Sequence, residues 1–284
     1  MDGRRDPIEI MRDETRVRIG VAPPGIGSVS VPPGTNCLTP SEFLMREPRM
    51  AAHYRQGEGI TLERGPGLTE AEALLYLHGS IYSAIAAING LLPLHASAVA
   101  VDGKLIAFTG PAGAGKSTLV AALGHLGLPL FCDDTLLLDL AAPGPAMGLP
   151  GHRRVKLWAD SLELTGSAAL ELVSDDYPKF YVTRGGGDIA TPLPLAALVL
   201  LERGAEPAIE PIFGSAKLIA LKDDHYARQM FESLHAQEAV ERLAIQARLA
   251  KSMKIFRFVR SLDRSDFWIS TRYLAARLSG MVSG

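Results

Sequence analysis

The sequence predicts an α/β protein with a small β-rich module at the N-terminus and a helical C-terminal region. Three observations carry this. Residues 104–132 run strand, glycine-rich bend, helix, strand. Residues 1–68 break into short apolar runs separated by "APPGIG" and "VPPGTN", the punctuation of turns between short strands. From about residue 222 apolar side chains recur at helical spacing among abundant Arg and Glu. The boundaries drawn from these patterns are 1–68, 69–221 and 222–284.

Taken in order, the first twenty residues, "MDGRRDPIEIMRDETRVRIG", are charged throughout and lack the apolar stretch of a signal peptide, so secretion is not expected. "RGPGLTE" marks the end of the first module. Thr69 and Glu72 then form a T-x-x-E capping box, and Asn89-Gly90 with Pro93 stops the helix about six turns later. Between these signals residues 73–94 contain no Asp, Glu, Lys or Arg, over the length a membrane span needs. The caps and the polar His78, Ser80 and Ser83 favour a buried helix of a water-soluble protein instead.

"LHASAVAVDGKLIAFTG" follows, with Asp102-Gly103 between two β-prone runs as a hairpin turn. "KSTLVAALGHLG" is a helix ending at Gly127, and "LPLFCDDTLLLDL" is a strand running into two carboxylates. Further on, "KFYVTR", a "GGG" bend and the apolar "LAALVLLER" supply more strand candidates. "FRFVRSLDRSDFW" reads as a core-packed helix face.

Composition excludes several classes. Hydrophobic residues make up 47% and charged residues 21%, enough to bury a core. A net charge of -2 gives no bulk attraction to nucleic acid or a membrane surface. Cys37 and Cys132 are too few and too far apart for a disulfide framework or a zinc cluster, so a reducing, cytoplasmic setting is expected. Homo-oligomerisation is compatible with all of this and stays open.

Gly110, Gly115, Lys116 and Ser117 satisfy G-x-x-x-x-G-K-[ST], preceded by an apolar strand and followed by a helix. Glycines let the backbone curl so that successive N–H groups face phosphate oxygens. The nucleotide-binding set is therefore Gly110, Pro111, Ala112, Gly113, Ala114, Gly115, Lys116, Ser117 and Thr118. Lys116 offers a cation to the terminal phosphates, Ser117 a hydroxyl to Mg2+, and the helix N-terminus its positive end.

Asp133 and Asp134 come only 17 residues after Lys116, at the end of the next apolar strand. Adjacent side chains at a strand end point to opposite sides, so one carboxylate can hold the metal while the other accepts a hydroxyl proton. Ser117 and Asp134 are the metal candidates, although the residue pattern leaves the division of labour between the aspartates open. His95 precedes the hairpin that leads into the loop and is a further catalytic candidate. Extra cations for a phosphoryl-transfer transition state are sought among Arg153, Arg154, Lys156, Lys179 and Arg184.

The stretch "LHASAVAVDGKLIAFTGPAGAGKSTLVAALGHLGLPLFCDD" resembles the catalytic domain of HPr kinase/phosphorylase and of related serine kinases from peptide-modification clusters. The resemblance implies a core shared with phosphoenolpyruvate carboxykinase and transfer of the γ-phosphoryl of ATP to a serine hydroxyl. It assigns Lys116 and Ser117 to phosphate and metal, the Asp133/Asp134 pair to base and metal contact, and His95 to support of that pair. Thr118 stands where bacterial HPr kinases commonly carry an acidic residue, and their glycine-rich signature with its preceding Glu has no counterpart. "RRVKLWADSLELTG" and "TPLPLAALVLLER" look more like the shorter relatives, including lasso-peptide kinases. The expected partner is a peptide or small-protein acceptor, with a small metabolite, or nucleotide sensing without catalysis, as the rival readings.

Overall fold

The computed structural model describes residues 5–151, 154–182, 189–221 and 239–283. After an N-terminal helix (Pro7–Glu14), the chain forms strand β1 (Val17–Ile19), a short hairpin of β2 (Gly25–Ile26) and β3 (Val29–Ser30), and then β4 (Thr35–Leu38), β5 (Glu42–Glu47), β6 (Met50–Arg55) and β7 (Gly59–Arg64). These pair in the order β1-β7-β6-β5-β4, antiparallel except for the β1–β7 edge.

The long apolar helix lies against this sheet. Thr69 caps it, its Oγ1 accepting from the Glu72 N–H at 3.1 Å. The Glu72 side chain is held by Arg49 at 2.8 Å. The helix runs Glu70–Tyr76, widens into a π-helical turn over Leu77–Ile81 around Gly79, and continues over Tyr82–Ile88. Among the described residues, Glu70–Ile88 is the one helix long and apolar enough to cross a membrane, and 56% of its most apolar window is buried inside the protein. Ile81, Ala84 and Ile85 pack between Phe43, Tyr54 and Leu62 of the five-stranded sheet and Leu137 and Leu149 beyond it. Two apolar surfaces therefore share one helix, which explains a sequence with so few charges.

The second sheet carries the site. Its strands are β8 (Leu92–Leu94), β9 (Ser97–Val101), β10 (Lys104–Thr109), β11 (Leu130–Cys132), β12 (Leu136–Asp139) and β13 (Met147–Leu149), joined after a separate three-stranded sheet by later strands. That separate sheet pairs β14 (Val155–Trp158), β15 (Ala169–Ser174) and β16 (Tyr177–Val182) in the order β14-β16-β15. The later strands are β17 (Leu193–Arg203), β18 (Ala208–Ile212) and β19 (Lys254–Arg260). The central run is β11-β9-β10-β17, with β19 on the far side of β17 and β18 beside β19. β10, β17 and β19 are parallel, while β9 is antiparallel to both β10 and β11.

Asp102 and Gly103 both take positive φ, 49° and 73°, as a two-residue hairpin turn requires between β9 and β10. Alternate residues of the central strands enter opposite layers. Val99, Ile106, Phe108 and Val199 meet the helices Lys116–His125 and Leu278–Val282, whereas Ala98, Leu105, Leu198 and Ile255 face Leu136, Leu249 and Met253. Covered on both faces, these strands read as unbroken apolar runs.

One expectation is corrected. The C-terminal region, expected to be helical, contributes β19 to the heart of the sheet, in register with β17 from Ala197↔Lys254 to Arg203↔Arg260. "KIFRFVR" carries β-branched and aromatic residues, and the free edge of β17 gives it a partner that helical neighbours in sequence concealed. Helices Ala239–Ser252, Phe267–Ala275 and Leu278–Val282 flank it.

Candidate active site

The glycine-rich loop begins where β10 ends. Gly110 has φ 150°, and a Cβ there would lie 3.0 Å from the Leu201 carbonyl oxygen. Gly115 has φ 81° at the N-cap of the helix Lys116–His125, and its missing Cβ would lie 2.7 Å from Nη2 of Arg260. Both positions demand glycine, for conformation and for room.

Lys116 opens the helix and is only 7% exposed. Its ammonium donates to the Gly110 carbonyl at 2.8 Å and the Pro111 carbonyl at 3.3 Å. An ammonium has three N–H donors, so one remains for a ligand oxygen. Burial pushes the Lys116 pKa down; the charges of Asp134 and Asp133 act in the opposite direction, and Lys179 adds to the lowering. Outside the loop, Pro111–Ala114 face Leu201, Glu202, Arg203 and Leu262 across a cleft of about 430 Å³.

Strand direction brings the carboxylates to the same place. Because β9 is antiparallel to both β10 and β11, the C-terminal ends of β10 and β11 and the N-terminal end of β9 share one sheet edge. That edge gathers the loop, Asp133-Asp134, and His95 with Ser97. Asp133, 6% exposed, accepts from Ser97 Oγ at 2.6 Å through Oδ1 and from the Lys156 backbone N–H at 3.4 Å through Oδ2.

Asp134 is held differently. The Thr135 N–H donates to the Asp133 carbonyl at 2.9 Å, closing a three-residue turn with Asp134 at its centre at φ 73°. The Asp134 carboxylate meets Lys156 Nζ at 2.8 Å and His95 Nδ1 at 3.3 Å, and the same ring nitrogen lies 3.0 Å from the Asp134 carbonyl oxygen. Burial opposes its charge, but Lys156 and His95 outweigh that and hold the Asp134 carboxyl well below the usual carboxylate range. For Lys156, burial likewise opposes the charge, and Asp134 overcomes it, raising the ammonium pKa.

The structure thus brings together Gly110–Lys116, His95, Asp133 and Asp134. Pro111, Ala112 and Gly113 form the exposed tip of the loop, and Ser117 is half-buried in the first helical turn. Thr118 turns its hydroxyl to Ser161 Oγ at 3.1 Å. Of the cations sought, Lys156 joins the carboxylates. Arg154 pairs with Glu171 at 3.3 Å, and Lys179 lies over the rings of Trp158 and Tyr177. Arg153 and Arg184 lie outside the described residues.

No family model matches the chain, and no curated protein matches it. Among solved structures it is similar to the Hpr(Ser) kinase/phosphatase from Coxiella burnetii. The two share 14% identity and a TM-score of 0.33, over 66% of this chain and 97% of that one.

Sequence reasoning missed two members of the site. Ser97 was hidden because a lone serine in an apolar strand carries no signal of its own. Arg260 had one: two residues after Phe258 on the same strand face, it is a charge at a core position, visible once "KIFRFVR" is read with a period of two. Among the described residues no three His, Cys, Asp or Glu side chains cluster as a ready metal cage. What this end of the sheet offers is a part-exposed carboxylate, Asp134, and the Ser117 hydroxyl in the first helical turn after the loop. That set suits a cation bound mainly through phosphate oxygens and water, as Mg2+ usually is.

Proposed function

We propose that this chain transfers the γ-phosphoryl group of ATP to a serine-type hydroxyl of a peptide or small protein, in the cytoplasm. The observation that carries the reading is that β9, antiparallel to both β10 and β11, sets the glycine-rich loop after β10 and the Asp133-Asp134 pair after β11 at the same end of the sheet. A phosphate cradle and a pair of carboxylates at one sheet edge are what in-line phosphoryl transfer needs. The P-loop core of the HPr kinase/phosphoenolpyruvate carboxykinase type belongs to the same proposal, resting on the motif order from His95 to Asp134.

Within this reading the loop amides and the remaining N–H of Lys116 hold the phosphates. Ser117 and Asp134 would hold Mg2+, whose chemistry is to neutralise charge on the phosphate oxygens. Asp134 suits that task because Lys156 and His95 keep it ionised. The same depression makes it a poor proton acceptor, since a useful base has a pKa nearer the working pH. Asp133 is the base: among the described residues its Oδ2 has only the long 3.4 Å bond from the Lys156 N–H, while Ser97 fixes Oδ1. It accepts the hydroxyl proton as the acceptor oxygen attacks. Lys156 and His95 are positioning residues.

Incubation with γ-labelled ATP and serine-containing peptides tests this directly. Label on a peptide serine is expected. Label confined to a small metabolite would move the acceptor to another class, and bound but unconsumed ATP would remove the catalytic claim.

A further inference from the structure

Arg260 ends β19 with its side chain in the core, 2% exposed. It follows Phe258 on the same face, where an apolar side chain would continue the packing. Its Nη2 donates to the Ala114 carbonyl at 2.9 Å, its Nε is buried without a partner, and its guanidinium carbon lies 5.8 Å from the centre of the Phe267 ring. Among the described residues no carboxylate pairs with it.

A buried guanidinium without a counter-charge is destabilising unless something answers its charge. Its surroundings make matters worse, because through Ala114 it touches the positive N-terminus of the helix Lys116–His125, opened by another cation. Lys116 has Asp133 and Asp134 within range. Arg260 has burial alone acting on it, which pushes its pKa down to about 10. A concentration of positive charge on a glycine loop, closed on one side by a guanidinium, is a site for a polyanion.

We infer that Arg260 is an electrostatic positioning residue for the polyphosphate of a bound nucleotide: it fixes the loop through Ala114 and finds its missing counter-charge in the phosphates cradled at Gly110–Lys116. This rests on the nucleotide-binding reading above and adds a second, non-motif cation to it. Loop fixation alone would not need a charge. A neutral donor could hold one carbonyl, and a Cβ added at Gly115 would come within 2.7 Å of Arg260 Nη2, so the guanidinium takes the space a side chain on the cradle wall would need.

The test uses the full chain with Arg260→Met, which keeps length and removes charge, and Arg260→Lys, which keeps charge. Thermal unfolding without ligand and calorimetric binding of Mg·ATP and of inorganic tripolyphosphate are measured for each. The expected result is that Arg260→Met unfolds no earlier than wild type without ligand, yet binds both ligands more than roughly tenfold more weakly. Arg260→Lys should restore most of that binding. Unchanged binding by Arg260→Met would overturn the inference, as would loss of ATP binding with tripolyphosphate binding preserved. A misfolded Arg260→Met, or a lower ligand-free unfolding temperature with the ligand-induced shift intact, would reduce Arg260 to a packing role and equally overturn it. Wild type that binds neither ligand would instead sink the nucleotide reading, and this inference with it.

Discussion

Lys156 Nζ and the Asp134 carboxylate meet at 2.8 Å, one side chain 9% exposed and the other 32%. The pair joins the three-stranded β14-β16-β15 sheet to the strand end after β11. It therefore ties a peripheral sheet to the end of the main sheet where the loop and the carboxylates lie.

Lys156→Met should break this pair and leave Asp134 to His95 alone. A fully buried pair broken this way costs about 3–5 kcal/mol, and the partial exposure of Asp134 brings the expectation nearer ~1–3 kcal/mol. The Asp134 pKa is depressed in the fold, so the stability it contributes is present above the ordinary aspartate range and is lost as pH falls through its lower folded value. The Lys156 pKa is raised, so its share is present below the ordinary lysine value and is lost as pH rises through the higher folded one. Urea unfolding across pH should show a broad plateau, roughly pH 4 to 10, that is lower in the variant.

Lys116→Ala should reduce phosphoryl transfer by at least ~10²-fold while far-UV circular dichroism stays that of wild type. Among the described residues its ammonium hydrogen-bonds only to carbonyls of its own loop and ties no other element in place, so the fold is expected to survive its loss. Transfer at the wild-type rate would contradict the site assignment.

The two aspartates should separate kinetically. Asp133→Asn is expected to lower single-turnover transfer by ~10²–10⁴-fold with little change in ATP affinity, because it removes a proton acceptor. Asp134→Asn should chiefly raise the Mg2+ concentration needed for half-maximal transfer, by ~10-fold or more. The opposite pattern would exchange their roles.

Ser97→Ala should destabilise the fold by ~1.5–3 kcal/mol in urea titration, because it removes the 2.6 Å donor to a buried carboxylate. It should also lower transfer, since Asp133 is then free to turn.

Gly115→Ala places a methyl against Arg260 and asks alanine to hold φ 81°. A loss of ~1–3 kcal/mol in unfolding free energy is expected, with a parallel loss of ATP affinity by calorimetry.

Much of this was readable in the chain because the signals are local. The Thr69 cap, the Asp102-Gly103 turn and the Gly110–Ser117 loop each depend on a few neighbouring residues, and each is found where the sequence put it. What stayed hidden depends on distant pairing. "KIFRFVR" becomes a strand only because β17 offers an edge more than fifty residues away in sequence. Arg260 reaches Ala114 across 146 residues, Ser97 reaches Asp133 across 36, and the approach of Lys156 to Asp134 needs a second sheet folded over the first. No periodicity reports such meetings. The long apolar helix shows the same limit from the other side: residues 73–94 give its hydrophobicity, and its packing between two sheets shows what that hydrophobicity is buried against.

The tight backbone reversal at Asp134 has a consequence for variation at that position. An L-residue at φ 73° is strained by roughly 1–3 kcal/mol, and glycine would relax it at once. In a Lys156→Met background, where the ion pair to Asp134 is already gone, a randomised library sorted for heat resistance should enrich glycine at 134, while the same library sorted for phosphate incorporation should discard it. Two screens pulling one codon in opposite directions would show that this bend is kept for its chemistry at the expense of robustness.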